Sequence, residues 1–117
     1  ATHLINSKNV EEAIQKVKEL NPRGVDVAIE AVGIPQTFDL CQKLIGVDGT
    51  IANVGVHGLP VQFDIDKLWI KNINVTTGLV SGNTTEELLE ALKSKIILLI
   101  VSEISKVTIS GVCYLIC

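Results

Sequence analysis

The residues of this 117-residue chain that could do chemistry lie where apolar runs give way to glycine. Three such places recur: Ala31-Val32-Gly33, Val54-Gly55-Val56 and Thr77-Gly78-Leu79-Val80-Ser81-Gly82. If the runs before them are parallel strands, these are their carboxyl ends. Ligands of open α/β sheets bind outside such ends, near the point where the strand order reverses. Small residues there let backbone amides and carbonyls approach a flat ring closely, although glycines after strands also simply make tight turns. Other chemistry is thin. His3 and His57 have no cysteine or carboxylate neighbours spaced as zinc ligands. His57 sits near a strand end, where a proton relay is conceivable, but it reads first as a solvated loop histidine. Cys41, Cys113 and Cys117 are odd in number and form no CxxC pair. Cys41 falls on an apolar helix face and reads as a buried, reduced thiol. Cys113 and Cys117 stand four apart, but no histidine or acid beside them completes a metal site. No GxGxxG loop is present to cradle a pyrophosphate, and no acid follows one to hold a ribose. No catalytic and no metal-ligating residue is therefore assigned.

The elements that would position the three glycine turns alternate in period. Thr2 to Ile5 reads as a short strand. Val10, Ala13, Ile14, Val17 and Leu20 follow at helical spacing, opened by Asn9 with Glu12 three residues on and stopped by Asn21-Pro22-Arg23-Gly24. Val25 to Ala31 is a β-rich run, and Pro35 then sits where a first helical turn accepts proline. Phe38, Cys41, Leu44 and Ile45 give that helix its buried stripe, and Gly46-Val47-Asp48-Gly49 turns the chain into the strand Thr50 to Val56. A short extended piece, Leu59 to Phe63, leads to a helical turn around Ile65, Leu68 and Trp69. A strand follows at Ile73 to Thr77, and a helix opened by Thr84 and Glu87. Strands alternating with amphipathic helices predict parallel βαβ units with helices on both faces of the sheet.

Composition bounds the function classes. With 47% apolar and 20% charged residues the chain is globular. A net charge of −3 argues against a nucleic-acid or acidic-membrane partner. The longest apolar run, Ile96 to Val101, is far too short to span a bilayer. Arg23 is the only arginine, which leaves few groups able to grip a phosphate in bidentate fashion. The cysteine usage points to a reducing cytoplasm. There is no methionine, even at position 1, so Ala1 reads as an internal cut. From Lys95 onward only Lys95, Glu103 and Lys106 are charged and the helix–strand rhythm is lost. Residues 1–94 are thus expected to form one α/β domain, and residues 95–117 an apolar tail.

The segments Ala1-Thr2-His3-Leu4-Ile5-Asn6, Gly24-Val25-Asp26-Val27-Ala28-Ile29-Glu30-Ala31-Val32-Gly33, Gly49-Thr50-Ile51-Ala52-Asn53-Val54-Gly55-Val56-His57-Gly58 and Ile73 to Gly82 carry a family resemblance. From Ala1 to about Ser94 the chain resembles the zinc-dependent medium-chain alcohol dehydrogenases, in the later part of their NAD(P)-binding domain. The resemblance implies an α/β fold: a partial Rossmann-type, doubly wound parallel sheet lacking the first two strands. It also implies that Ala31, Val32 and Gly33 lie along the cofactor and that Val54, Gly55 and Val56 flank the nicotinamide. Leu79 and Ser81 would offer backbone groups to its carboxamide, and Leu59 to Phe63 would be a dimer-forming edge, giving a homo-oligomer. The family's zinc ligands, glycine fingerprint and ribose-binding acid would all precede Ala1. Zinc, and the bulk of the NAD or NADP contacts, would then belong to the intact parent, and the chain alone would be inert. The tail departs from the family as a shifted reading frame would. The other readings are a non-enzymatic α/β dimerisation module or pseudogene-like remnant, and a cofactor domain from a related quinone or polyol reductase. An opened β-strand edge at Val25 to Ala31 is expected to be filled, by Ile96 to Val101 or by a strand of a second copy.

Overall fold

In the computed structural model, which describes residues 3–79, 82–94 and 113–116, Asn9 caps the first helix, α1 (Val10–Leu20). Its Oδ1 accepts from the Glu12 amide at 3.3 Å, one of the orphan donors that every helix start must satisfy. α1 buries Ala13 and Val17. The chain leaves it through Asn21, whose amide returns to the Val17 carbonyl, and turns at Gly24 with φ +87°. Glycine is required there: a Cβ would stand 2.7 Å from the Leu44 carbonyl oxygen.

Strand β1 (Val25–Glu30) then runs parallel to β2 (Ile45–Asn53), with helix α2 (Pro35–Leu44) as the crossover. Proline opens α2 as expected. β2 begins earlier than its sequence suggests. Ile45 already pairs with Val25, and the next partners are Val27 and Thr50, so the Gly46–Gly49 turn is an excursion inside the strand. At its tip Asp48 has φ +58° and accepts from the Asn72 amide group at 2.7 Å; Asn72 is itself left-handed, with φ +54°. A short helix, α3 (Ile65–Leu68), and the 3₁₀ turn Trp69–Lys71 lead into β3 (Asn74–Thr77), parallel to β2. Three parallel strands with a helical crossover make this the α/β sheet that the alternation of periods predicts. Val25, Ala28, Ile45 and Ile51 from the strands and Phe38, Leu40, Cys41 and Leu44 from α2 form the core, and α1 packs on α2. Cys41 is fully buried, in keeping with its place on the apolar face.

The chain divides into two compact units, Ala1–Gly78 with Ser110–Cys117 and Leu79–Ile109. The second contains helix α4 (Thr85–Lys93), which opens with Glu86 and Glu87 and closes on Lys93, charges that complement its dipole. Among the described residues no helix is long and apolar enough to cross a membrane.

Two expectations, the strand at residues 3–5 and the filling of the β1 edge, need correction. Residues 3–5 form no strand (Thr2 lies outside the described residues): no neighbouring strand among the described residues offers them a ladder, Leu4 points into solvent, and Ile5 packs on the core. Leu59 to Phe63 is not laddered either. Gln42 of α2 holds the adjoining backbone instead, donating to the Gln62 carbonyl and accepting from the Asp64 amide, each at 2.9 Å, while Val61 and Phe63 pack inward. The open edge of β1 is filled by the tail, but by a segment other than Ile96 to Val101. β4 (Cys113–Ile116) pairs antiparallel with it, Glu30 facing Cys113 and Val27 facing Ile116, so the sheet reads β3-β2-β1-β4. Ile96 to Val101 and Cys117 lie outside the described residues.

Candidate functional site

Glu30, the last residue of β1, is completely buried. Taking a carboxylate out of water costs several kcal/mol unless its lone pairs are satisfied, and here they are. Oε1 accepts from the amides of Val32 and Gly33, both at 2.9 Å, and from the Thr37 hydroxyl at 2.6 Å. Oε2 lies 3.3 Å from His57 Nε2. The backbone carbonyl of the same residue accepts from Val54 and Gly55, at 2.8 and 3.0 Å. One residue thereby ties together the turn after β1 and the turn after β2. Burial pushes this carboxyl up, but hydrogen bonds from Thr37, Gly33 and Val32, together with the nearby His57, outweigh it and hold Glu30 below the ordinary carboxylate range.

Glycine is what lets the two turns meet. Gly33 has φ +85°, and a Cβ on it would strike the Val56 carbonyl; a Cβ on Gly55 would strike Glu30 Oε2 and the Gly33 amide nitrogen. The contact is backbone on backbone, with Glu30 beneath. Ala31, Val54 and Val56 stand exposed above this polar knot. The result is an apolar ledge at the carboxyl ends of two adjacent parallel strands.

His57 belongs to the knot and is not a solvated loop residue. Its Nε2 lies 2.7 Å from Asn53 Oδ1, while Asn53 Nδ2 donates to the Gly55 carbonyl at 3.1 Å. Both neighbours of Nε2 are acceptors, so the ring proton belongs on that nitrogen. Phe38 meets the ring edge-on, with centroids 6.0 Å apart.

Of the residues expected to face a ligand, Val32, Gly33, Val54, Gly55 and Val56 converge around Glu30, with Ala31 beside them. Leu79 is 92% exposed, and Ser81 lies outside the described residues. Reasoning from residue types missed Glu30, Thr37 and Asn53, and placed His57 in solvent. An acid at the end of a β-rich run, three residues before a glycine, was the available signal. Among the described residues no three histidine, cysteine or acidic side chains could hold a metal ion, and the Glu30–His57 pair is two groups short of a tetrahedral zinc site. Zinc does not fit here.

A family model described as zinc-binding dehydrogenase matches residues 1–94. Among solved structures, the chain is similar to zinc-dependent alcohol dehydrogenase 2 from Streptococcus pneumonia at 69% identity and a TM-score of 0.78, over 84% of this chain and 29% of that one. It is similar to benzyl alcohol dehydrogenase from Acinetobacter calcoaceticus at 28% identity and a TM-score of 0.70, over 81% and 28%. A mycobacterial protein solved as a complex with NADPH is similar at 25% identity and a TM-score of 0.63, over 82% and 32%. The chain thus spans about three tenths of the length of these solved relatives. No curated protein matches it.

Proposed function

This chain belongs to the zinc-binding dehydrogenase family, and from that premise we propose that it supplies part of the nicotinamide-facing wall of an NAD(P)-dependent alcohol dehydrogenase and turns nothing over alone. The observation that carries the reading is the Glu30 knot, which brings two glycine turns into contact at adjacent strand ends and leaves Ala31, Val54 and Val56 exposed above them. An apolar ledge of this kind suits one face of a flat aromatic ring. Ala31, Val32 and Gly33 would run along the cofactor, Val54, Gly55 and Val56 would flank the nicotinamide, and Leu79 and Ser81 would reach the carboxamide. The nicotinamide supplies the hydride-accepting carbon when an alcohol is oxidised. This chain's residues shape and dry one face of its pocket. Zinc would be held by residues other than those described.

A phosphate-gripping loop normally contributes much of the affinity for a dinucleotide, and no glycine fingerprint occurs in this sequence. Calorimetric titration of the 117-residue protein with NADH and NADPH is expected to show no saturable binding in the micromolar range, and incubation with short alcohols no reduced cofactor. Micromolar affinity or turnover would contradict inertness and leave the family assignment untouched.

Self-association belongs to the same proposal, through the Leu59–Phe63 edge that the resemblance implies and through β3. β3 is the terminal strand of the sheet, all four of its residues are exposed, and Trp69 and Ile70 stand exposed just before it. Its outer backbone groups, unpaired among the described residues, are a template for a second copy.

A further inference from the structure

At the opposite end of the sheet, where β1 and β2 begin, lies an open cleft of about 200 Å³. Gly24 and the starts of the two strands give it a backbone floor, because neither Gly24 nor Gly46 has room for a side chain. Lys18, Arg23, Lys43 and Lys71 line it, and among the described residues no carboxylate does. Four of the ten basic residues of an acidic chain converge on one concavity, the only arginine among them.

Helix ends explain part of this. Lys18 and Lys43 lie in the last turns of α1 and α2, where cations offset the carbonyl ends, and Lys43 also pairs with Asp39 at 2.7 Å. Arg23 has no such account, while Lys71 has a partial one, since Ile45, whose carbonyl it meets, is the C-cap of α2. Arg23 follows α1 and forms no ion pair among the described residues. Lys71 is half-buried, and its ammonium donates at 2.8 Å to the Ile45 carbonyl, a neutral group that leaves the charge unmatched. Clefts lined by one sign of charge concentrate the opposite ion.

We propose that this cleft binds a phosphate dianion, free or as the end of a small phosphorylated metabolite, gripped by Arg23 and Lys71. The guanidinium fork matches two phosphate oxygens, and the lysine supplies a point charge to a third. Size excludes a whole cofactor, since pockets for such ligands run to about 300–1,000 Å³. The cleft is separate from the Glu30 knot by the length of β1, roughly 20 Å at about 3.3 Å per residue, and does not rest on the proposed dehydrogenase role.

The test is an amide NMR titration of the full chain with sodium phosphate at constant ionic strength, against sodium chloride. Saturable shifts centred on Gly24, Gly46 and Lys71, absent with chloride, are expected. Arg23→Gln and Lys71→Gln should each weaken binding about tenfold, the loss expected for one charge-assisted contact, while Lys16→Gln, outside the cleft, should not. A parallel titration with glycerol phosphate distinguishes the sources: tighter binding than inorganic phosphate points to a metabolite, equal binding to phosphate itself. The proposal is overturned by shifts that do not saturate, by equal shifts with chloride, or by an Arg23→Gln protein that keeps its spectrum and still binds as the parent does. Arg23 is exposed, so that variant remains informative even if Lys71→Gln disturbs the fold.

Discussion

Glu30 is a buried charge whose favourable partners exist only in the folded state, and its contribution to stability therefore depends on pH. Its native pKa is depressed. The stabilisation is complete above the unfolded carboxylate value, about 4.3, and is lost as pH falls below that value through the native one. Glu30→Gln should lower unfolding stability at neutral pH by about 2–3 kcal/mol, the scale of a lost charged hydrogen-bond set. It should also flatten the acid limb of a plot of urea midpoint against pH, and an unchanged limb would show that the carboxylate is not what titrates. Gly33 makes a second prediction. Alanine there meets a left-handed backbone, worth about 1–2 kcal/mol, and collides with the Val56 carbonyl. Gly33→Ala should thus cost at least about 2 kcal/mol in urea unfolding. Gly58→Ala, whose Cβ would meet nothing within 4 Å, should be near neutral.

Elements in this chain are started and stopped by single residues whose work is local. α1 begins because Asn9 satisfies an orphan amide, and Lys16 and Glu12 brace its exposed side at 2.6 Å. That ion pair is exposed and contributes little; the cap contributes more. Asn9→Ala is expected to cost about 1 kcal/mol, measurable as a lower midpoint by circular dichroism, whereas Lys16→Ala should move it much less. The excursion inside β2 is held differently. Asp48 and Asn72, far apart in sequence and both left-handed, share a hydrogen bond, so that turn depends on a partner that no local pattern announces.

At the scale of the whole molecule the sheet has two edges with different fates. The β1 edge is covered by β4, and the outer edge of β3 has no partner among the described residues. Light scattering of the protein at rising concentration should show self-association, and Thr76→Lys, which places a charge on that edge, should shift the population towards monomer. A monomer at every concentration would remove the β3 edge from the proposal.

Local chemistry determined much of this protein before any contact was known. The helical spacing from Val10 to Leu20, the proline at the start of α2 and the β-rich runs ending in glycine follow from propensities within a few residues. So does the parallel α/β sheet, because a strand–helix–strand crossover brings the chain back in the same direction. The positions of the two close turns were legible too, since Gly33 and Gly55 mark backbone that must come near something. What they come near was decided by tertiary structure. Glu30 and His57 stand 27 positions apart, and only parallel pairing of Glu30 with Asn53 brings the second turn over the first. Residue types alone gave no reason to prefer a buried His57 over a solvated one. Edge pairing escaped local reading for the same reason. Backbone hydrogen bonds carry no sequence label, so any β-rich segment can fill an open strand edge, and chain geometry chose Cys113–Ile116, antiparallel, for β1.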